Sequence, residues 1–212
     1  MTAELTSCRS TAELATGLRG FVADTVATLV DEHAPGWRLP ATFGGHRVEP
    51  DVDADLVYTL GHLHDGGVTD VAGTPLTDAV TRVLGRIDGA RTHTFFSYRV
   101  AETLLRWGPF DGNPVLAGLT DAQRDQVALA CDSSEWLPLL DESILPRNYA
   151  GVLARCETAR LGLGLIDDAT VVDDLVERVR GVLSANPWHY LDDSNHRLGR
   201  FDIYSADVWL FT

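Results

Sequence analysis

The chain has 212 residues, 45% hydrophobic and 23% charged, which is ordinary for a globular protein long enough to bury a core without staples. Its 17 basic and 31 acidic residues give a net charge of −14, which argues against nucleic acid and anionic membrane surfaces as partners. The three cysteines are scattered, which predicts a protein without disulfides. The start has no signal-peptide features and no apolar run reaches about 20 residues, so we predict a cytoplasmic protein without membrane spans.

Apolar residues recur at helical spacing along nearly the whole chain. Ser10 begins a capping box before the first helix, which ends at "APGWRLP". A second helix is predicted over 56–63. A third opens at Thr74-Pro75, with Thr74 as N-cap and Pro75 as the first helical residue, and a fourth covers about 94–107.

The second half of the chain continues this pattern. Thr120 and Gln123 cap a fifth helix, a sixth follows Pro146, a seventh opens at Thr170 and an eighth begins near Phe201. Long loops are expected at "SSEWLPLLDESILPRNY" and "ANPWHYLDDSNHRLGR". Since strand alternation is lacking, the prediction is a single all-α domain over 1–212, built from antiparallel helical hairpins.

Paired acids and paired histidines are the first candidates for a metal site. Asp167-Asp168 and Asp173-Asp174 fall at the start of the seventh helix, where acids favour the helix dipole, whereas the third pair, Asp192-Asp193, lies in a loop and stays open. An isoprenoid-type metal–diphosphate site is therefore a weak hypothesis. His62 and His64 point to different sides of a helix, which predicts surface or capping roles. Cys156 is expected to be a small buried hydrophobe. We predict no metal and no cofactor.

Polar and aromatic side chains gather where the two long loops enter helices, whose free N–H groups suit hydroxylated or anionic ligands. The last helix places Asp202 and Trp209 on one stripe and Phe201, Tyr204, Val208 and Phe211 on another. A carboxylate beside a Trp is typical of sugar sites. The alternative, a buried helix with Asp202 as a first-turn acid, stays open.

The segments "LPRNYAGVLARCETARLGLGL" and "WHYLDDSNHRLGRFDIYSADVWLF" resemble two motifs of a bacterial family of unassigned function, in which "NNW" and "DG" followed by "FDYYNS" each precede an apolar helix. That family is similar to the six-hairpin (α/α) toroids, which include heparinase-like and alginate lyases and unsaturated glucuronyl hydrolases. The resemblance covers about residues 130–212. Asn148 and Tyr149 match the second Asn and the Trp, and Asp202 and Tyr204 match the Asp and the second Tyr. Arg147, Ile203 and Ser205-Ala206 depart from the motifs.

The resemblance implies a partial (α/α) toroid and a carbohydrate-active protein that acts on oligosaccharides as a hydrolase or a lyase. The implied catalytic residues are Asp202, Tyr204, His189 and His196. The implied substrate-binding residues are Asn148, Tyr149, Tyr190, Asp192, Asp193, Asn195, Arg197 and Trp209.

A hydrolase would pair Asp202 with Asp192 or Asp193 as acid and base. A lyase would use a Tyr or His as base and an Asn or Arg to neutralise a uronate. The alternative to an enzyme is a non-catalytic helical module that binds glycans or proteins. Because such toroids have about a dozen helices, the chain is also expected to be an N-terminal fragment with an exposed apolar face.

Overall fold

The computed structural model describes residues 10–40, 42–43, 45–47, 51–87, 94–145 and 149–185. These ranges are mostly helical, which confirms the all-α prediction at the level of fold class. The predicted eighth helix and the loop before it lie outside the described residues. The helices are α1 (Thr11–His33), α2 (Val52–Asp65), α3 (Leu76–Leu84), α4 (Thr94–Leu105), α5 (Asp121–Ala130), α6 (Leu137–Asp141), α7 (Tyr149–Leu163) and α8 (Thr170–Ala185).

Two short antiparallel hairpins, which the sequence pattern did not predict, interrupt the helices. The first pairs β1 (Thr42–Phe43) with β2 (His46–Arg47), and the second pairs β3 (Asp70–Val71) with β4 (Thr74–Pro75). The turn of the second hairpin is Ala72-Gly73, and both residues have positive φ, as a two-residue hairpin turn requires. The prediction that Thr74 caps α3 is therefore wrong. Thr74 and Pro75 form strand β4 of the hairpin, and α3 begins one residue later than predicted.

The predicted helix starts at Ser10 and Thr120 are confirmed. Ser10 Oγ accepts from the backbone N–H of Glu13, and Thr120 and Gln123 form a reciprocal capping box. The predicted loop over 133–149 is wrong in part, because it contains a 3₁₀ turn (Ser134–Trp136) and α6.

Helices pack as a series of neighbours: α2 against α4, α4 against α7 and α7 against α8, with α3 on the other side of α2. The main core runs through α2, α3, α4, α5 and α7, and Leu60, Leu84 and Leu104 are completely buried in it. A smaller cluster joins α7 to α8 through Leu153, Leu175 and Val179. The surface between α4, α7 and α8 is where the candidate site lies.

The core covers mainly the second half of helix α1. Val26 and Val30 are buried, whereas Leu14, Leu18 and Phe21 are 40%, 46% and 57% exposed. The apolar stripe that predicts this helix thus continues beyond the part that the core covers. Within the described ranges, none of the helices combines the length with the apolarity that crossing a membrane requires.

Candidate functional site

A cavity of about 480 Å³ opens between α4, α7 and α8, beside the last turn of α2. Its volume lies within the roughly 300–1,000 Å³ typical of small-molecule sites. Its lining combines charged and apolar side chains: Asp65 from α2; Glu102 and Leu105 from the C-terminal half of α4, and Arg106 directly after it; Ala154, Arg155, Thr158 and Ala159 from α7; and Val176 from α8.

One wall of the cavity is fixed by a two-pronged ion pair between α4 and α7. The Nε and Nη2 atoms of Arg155 donate to the two carboxylate oxygens of Glu102 at 2.7 and 2.8 Å. Nη2 also donates to the hydroxyl oxygen of Tyr58, on α2, at 2.6 Å. Both charged side chains are mostly buried, with 14% of Arg155 and 18% of Glu102 exposed. Such forked pairs are strong and directional, so the wall is rigid.

Aromatic rings support this ion pair from behind. The guanidinium of Arg155 lies 4.5 Å from the ring centroid of Tyr98, within the range of a cation–π contact. Tyr58 meets Tyr98 edge-on, with their centroids 5.7 Å apart. The two rings therefore pack around the guanidinium of the ion pair.

A second ion pair, between Arg106 and Asp65, lies at the rim. Arg106 Nε donates to Asp65 Oδ2 at 2.7 Å, and Arg106 Nη1 donates to the backbone oxygen of Glu102 at 2.7 Å. The guanidinium also lies 5.4 Å from the ring centroid of Tyr58. Asp65 is half exposed, so this pair is more open to solvent than the first.

The protonation equilibria of the wall follow from burial and neighbouring charge. Burial and the carboxylate of Glu102 raise the pKa of Tyr58 to about 12, so its hydroxyl stays protonated near neutral pH. Burial lowers the pKa of His62, and the adjacent Arg106 lowers it further. Burial by itself would lower the pKa of Arg155, but the hydrogen bonds and charge of Glu102 outweigh it and raise that pKa.

The wall therefore offers hydrogen-bonding groups rather than an acid and a base. Arg155 Nη1 has no hydrogen-bond partner among the described residues, and Arg155 lines the cavity together with the exposed Thr158. Both lining carboxylates are held by guanidiniums, and Tyr58 retains its proton. This arrangement suits a ligand rich in hydroxyl groups, with apolar contacts from Leu105, Ala154 and Val176.

Most of the residues predicted for the site lie outside the described residues. They are Asn148, His189, Tyr190, Asp192, Asp193, Asn195, His196, Arg197, Asp202, Tyr204 and Trp209. Their roles stay predictions. Tyr149 is described. It is the first residue of α7, is half-buried and packs on the main core, and it does not line the cavity between α4, α7 and α8.

The sequence interpretation missed the cavity residues although their spacing carried a signal. Glu102 in the last turn of α4 and Arg106 just after it are four apart, and Arg155 and Thr158 are three apart on α7, a spacing that places each pair on one side of its helical segment. Charged residues beside the apolar stripe of two helices that pack together indicate a polar seam. Which helices pack together is a tertiary fact, and helical periodicity does not supply it.

Cys156, Asp168 and the two histidines of α2 lie in packing and helix-end positions. Cys156 is completely buried, and burial raises its thiol pKa to about 12, which confirms its packing role. Asp168 Oδ1 accepts from the backbone N–H and the hydroxyl of Thr170, which lowers the pKa of Asp168 and fits a helix-start acid. His62 borders Tyr58 with ring centroids 4.5 Å apart, and His64 stacks on Trp107.

A second charged cluster is structural in character. Glu157, only 2% exposed, accepts two hydrogen bonds from Arg160 and one from the hydroxyl of Ser133. Arg160 also pairs with Asp132 at 3.2 Å. These contacts fasten the segment after α5 to α7. Among the residues that the structure describes, His, Cys, Asp and Glu form no group of three that could hold a metal ion.

Comparisons with known proteins found no match: no family model, no curated protein and no solved structure is similar to this chain.

Proposed function

We propose that the protein is carbohydrate-active and that it binds an oligosaccharide, or another hydroxylated ligand, in the cavity between α4, α7 and α8. The observation that carries the proposal is the wall of preset hydrogen-bonding groups around about 480 Å³: the Arg155–Glu102 pair, Arg106 and the Thr158 hydroxyl. Planar guanidinium and carboxylate groups match the paired hydroxyls of a sugar ring, and because they are already fixed, little entropy is lost on binding.

The described cavity supports binding better than catalysis. Glycoside hydrolysis needs one protonated carboxyl group and one free carboxylate, whose environments hold their pKa values apart. Here Glu102 and Asp65 are each paired with an arginine. A lyase needs a Tyr or His that gives up its proton readily, whereas the pKa of Tyr58 is raised. Cleavage would therefore depend on Asp202, Tyr204, His189 and His196.

The proposed scaffold is a partial (α/α) toroid. The succession of packed neighbours from α2 through α4 and α7 to α8 supports helical hairpins laid side by side. The proposal of an oligosaccharide ligand also agrees with the resemblance of residues 145–165 and 188–211 to motifs of toroid-related proteins.

The test is a titration calorimetry panel of neutral and uronate-containing oligosaccharides with the full chain. The same panel is followed for unsaturated product by absorbance and for new reducing ends. Saturable binding of a neutral oligosaccharide supports the proposal, and silence across the panel overturns it. If turnover accompanies binding, Asp202→Asn and Tyr204→Phe separate the two mechanisms, since a hydrolase loses activity with the first and a lyase with the second.

A further inference from the structure

We propose that Asp65 makes this cavity select ligands without net charge, by holding the rim guanidinium of Arg106 neutralised. The inference rests on the proposed binding function for its ligand class, hydroxylated molecules. It identifies Asp65 as the residue by which the cavity distinguishes neutral from acidic members of that class. The inference is carried by two arginines and two carboxylates that line one cavity. An anionic ligand could replace one of these carboxylates, Asp65, as the partner of its arginine.

The two ion pairs of the wall differ in how easily a ligand could replace the carboxylate. Glu102 accepts two hydrogen bonds from Arg155 and is 18% exposed, and Arg155 itself lies 4.5 Å from the ring centroid of Tyr98. Asp65 receives one hydrogen bond, from Arg106 Nε, and is 50% exposed. An anionic ligand could therefore compete only with Asp65. While Asp65 is in place, such a ligand would add a third negative charge to two positive ones.

The position of Asp65 in its helix indicates that pairing with Arg106 accounts for its presence. It is the last residue of α2, where the helix dipole is negative and an acid is electrostatically unfavourable. The other ionisable residues of that turn, His62 and His64, are of the basic type that this end favours. A carboxylate here needs compensation, and Arg106 provides it at 2.7 Å.

Arg106 would stay in place without Asp65. Its Nη1 donates to the backbone oxygen of Glu102, one turn back in α4, and its guanidinium contacts the ring of Tyr58. Replacing Asp65 by Asn removes one negative charge and leaves a positioned cation at the mouth of the cavity. A carboxylate or phosphate group can then take the vacated electrostatic role, because guanidinium pairs with such oxyanions strongly.

The experiment compares wild type, Asp65→Asn and Asp125→Asn by titration calorimetry. Asp125 is an exposed acid of α5 that does not line the cavity, so it controls for net charge. The probes are a uronate-containing disaccharide, its neutral counterpart and inorganic phosphate, each at low and high salt. Asp65→Asn is expected to strengthen uronate binding by on the order of tenfold to a hundredfold, the range of a charged hydrogen bond, and to show detectable phosphate binding that salt weakens. Asp65→Glu is expected to keep the wild-type preference.

Equal uronate and phosphate affinity in wild type and Asp65→Asn overturns the inference. So does a gain of the same size in Asp125→Asn. The outcome is separable from that of the proposed function: if wild type ignores neutral sugars while Asp65→Asn gains phosphate binding, the binding function fails and the role of Asp65 stands. If wild type binds neutral sugars and the variant gains nothing for anions, the reverse holds.

Discussion

Replacing Glu102 by Ala tests whether the Arg155–Glu102 pair holds the cavity wall together. The substitution removes both carboxylate oxygens. Among the described residues, the Arg155 guanidinium, 14% exposed, then keeps only the Tyr58 hydroxyl as a hydrogen-bond acceptor. Alanine is a strong helix former, so helix propensity does not confound the result.

The magnitude follows from burial. Removing one partner of a fully buried ion pair costs about 3–5 kcal/mol, whereas a solvent-exposed pair contributes about 0–1 kcal/mol. With 14% and 18% of the two side chains exposed, the pair is close to the buried case, which gives roughly 2–4 kcal/mol. For a chain of this size that corresponds to a fall in Tm of roughly 5–15 °C.

The assay is thermal and urea unfolding of Glu102→Ala beside Glu177→Ala. Glu177 pairs with Arg180 on α8, but about two thirds of each side chain is exposed, so this control should change stability little. Adding Arg155→Met to Glu102→Ala should recover part of the loss, because the unpaired buried charge is gone. A Glu102→Ala loss no larger than that of Glu177→Ala would refute the reasoning.

Two further predictions concern acid sensitivity and a helix end. Because the pKa of His62 is lowered in the folded state, the unfolded state binds more protons below about pH 6.5, so stability should fall as pH drops through that value. His62→Gln should flatten this slope in Tm measured from pH 5 to 7.5. The control is His46→Gln, at an exposed position of strand β2, which should keep the wild-type slope; equal slopes in all three proteins would contradict the prediction. Gly164 follows α7 with φ of 74°, so Gly164→Ala should lower the free energy of unfolding by about 1 kcal/mol. In Gly181→Ala the added methyl meets nothing within 4 Å, so the free energy of unfolding, measured in urea, should rise by about 0.5–1 kcal/mol. Shifts of the same sign would contradict that contrast.

Local signals in the sequence predicted the helices well. The caps at Ser10 and Thr120 and the start at Thr170 succeeded because they depend on backbone N–H groups satisfied within a few residues. The start of α3 failed because Thr74-Pro75 pairs with Asp70-Val71 across a turn, a contact that competes with the helix signal. Apolar residues after Trp136 form α6 rather than a loop, because they pack against α7.

The candidate site was less accessible to sequence reasoning. Its parts come from α2, α4, α7 and α8 and from the turn after α4. The partners of its two ion pairs are 41 positions apart for Asp65 and Arg106, and 53 apart for Glu102 and Arg155. Nothing in local periodicity specifies that α4 meets α7. The sequence interpretation instead favoured residues 188–209, where polar and aromatic groups are close along the chain, and that hypothesis keeps its own test in Asp202→Asn and Tyr204→Phe.

The most direct test of the central claim, that an oligosaccharide occupies the cavity between α4, α7 and α8, is to fill the cavity. Thr158 is exposed and lines the cavity, so Thr158→Trp should occlude it without disturbing the core. Thr16→Trp, on the exposed first half of α1, is the matched control. Calorimetric titration with the tightest-binding neutral oligosaccharide should show binding lost in Thr158→Trp and unchanged in Thr16→Trp. Wild-type affinity in Thr158→Trp would contradict the claim.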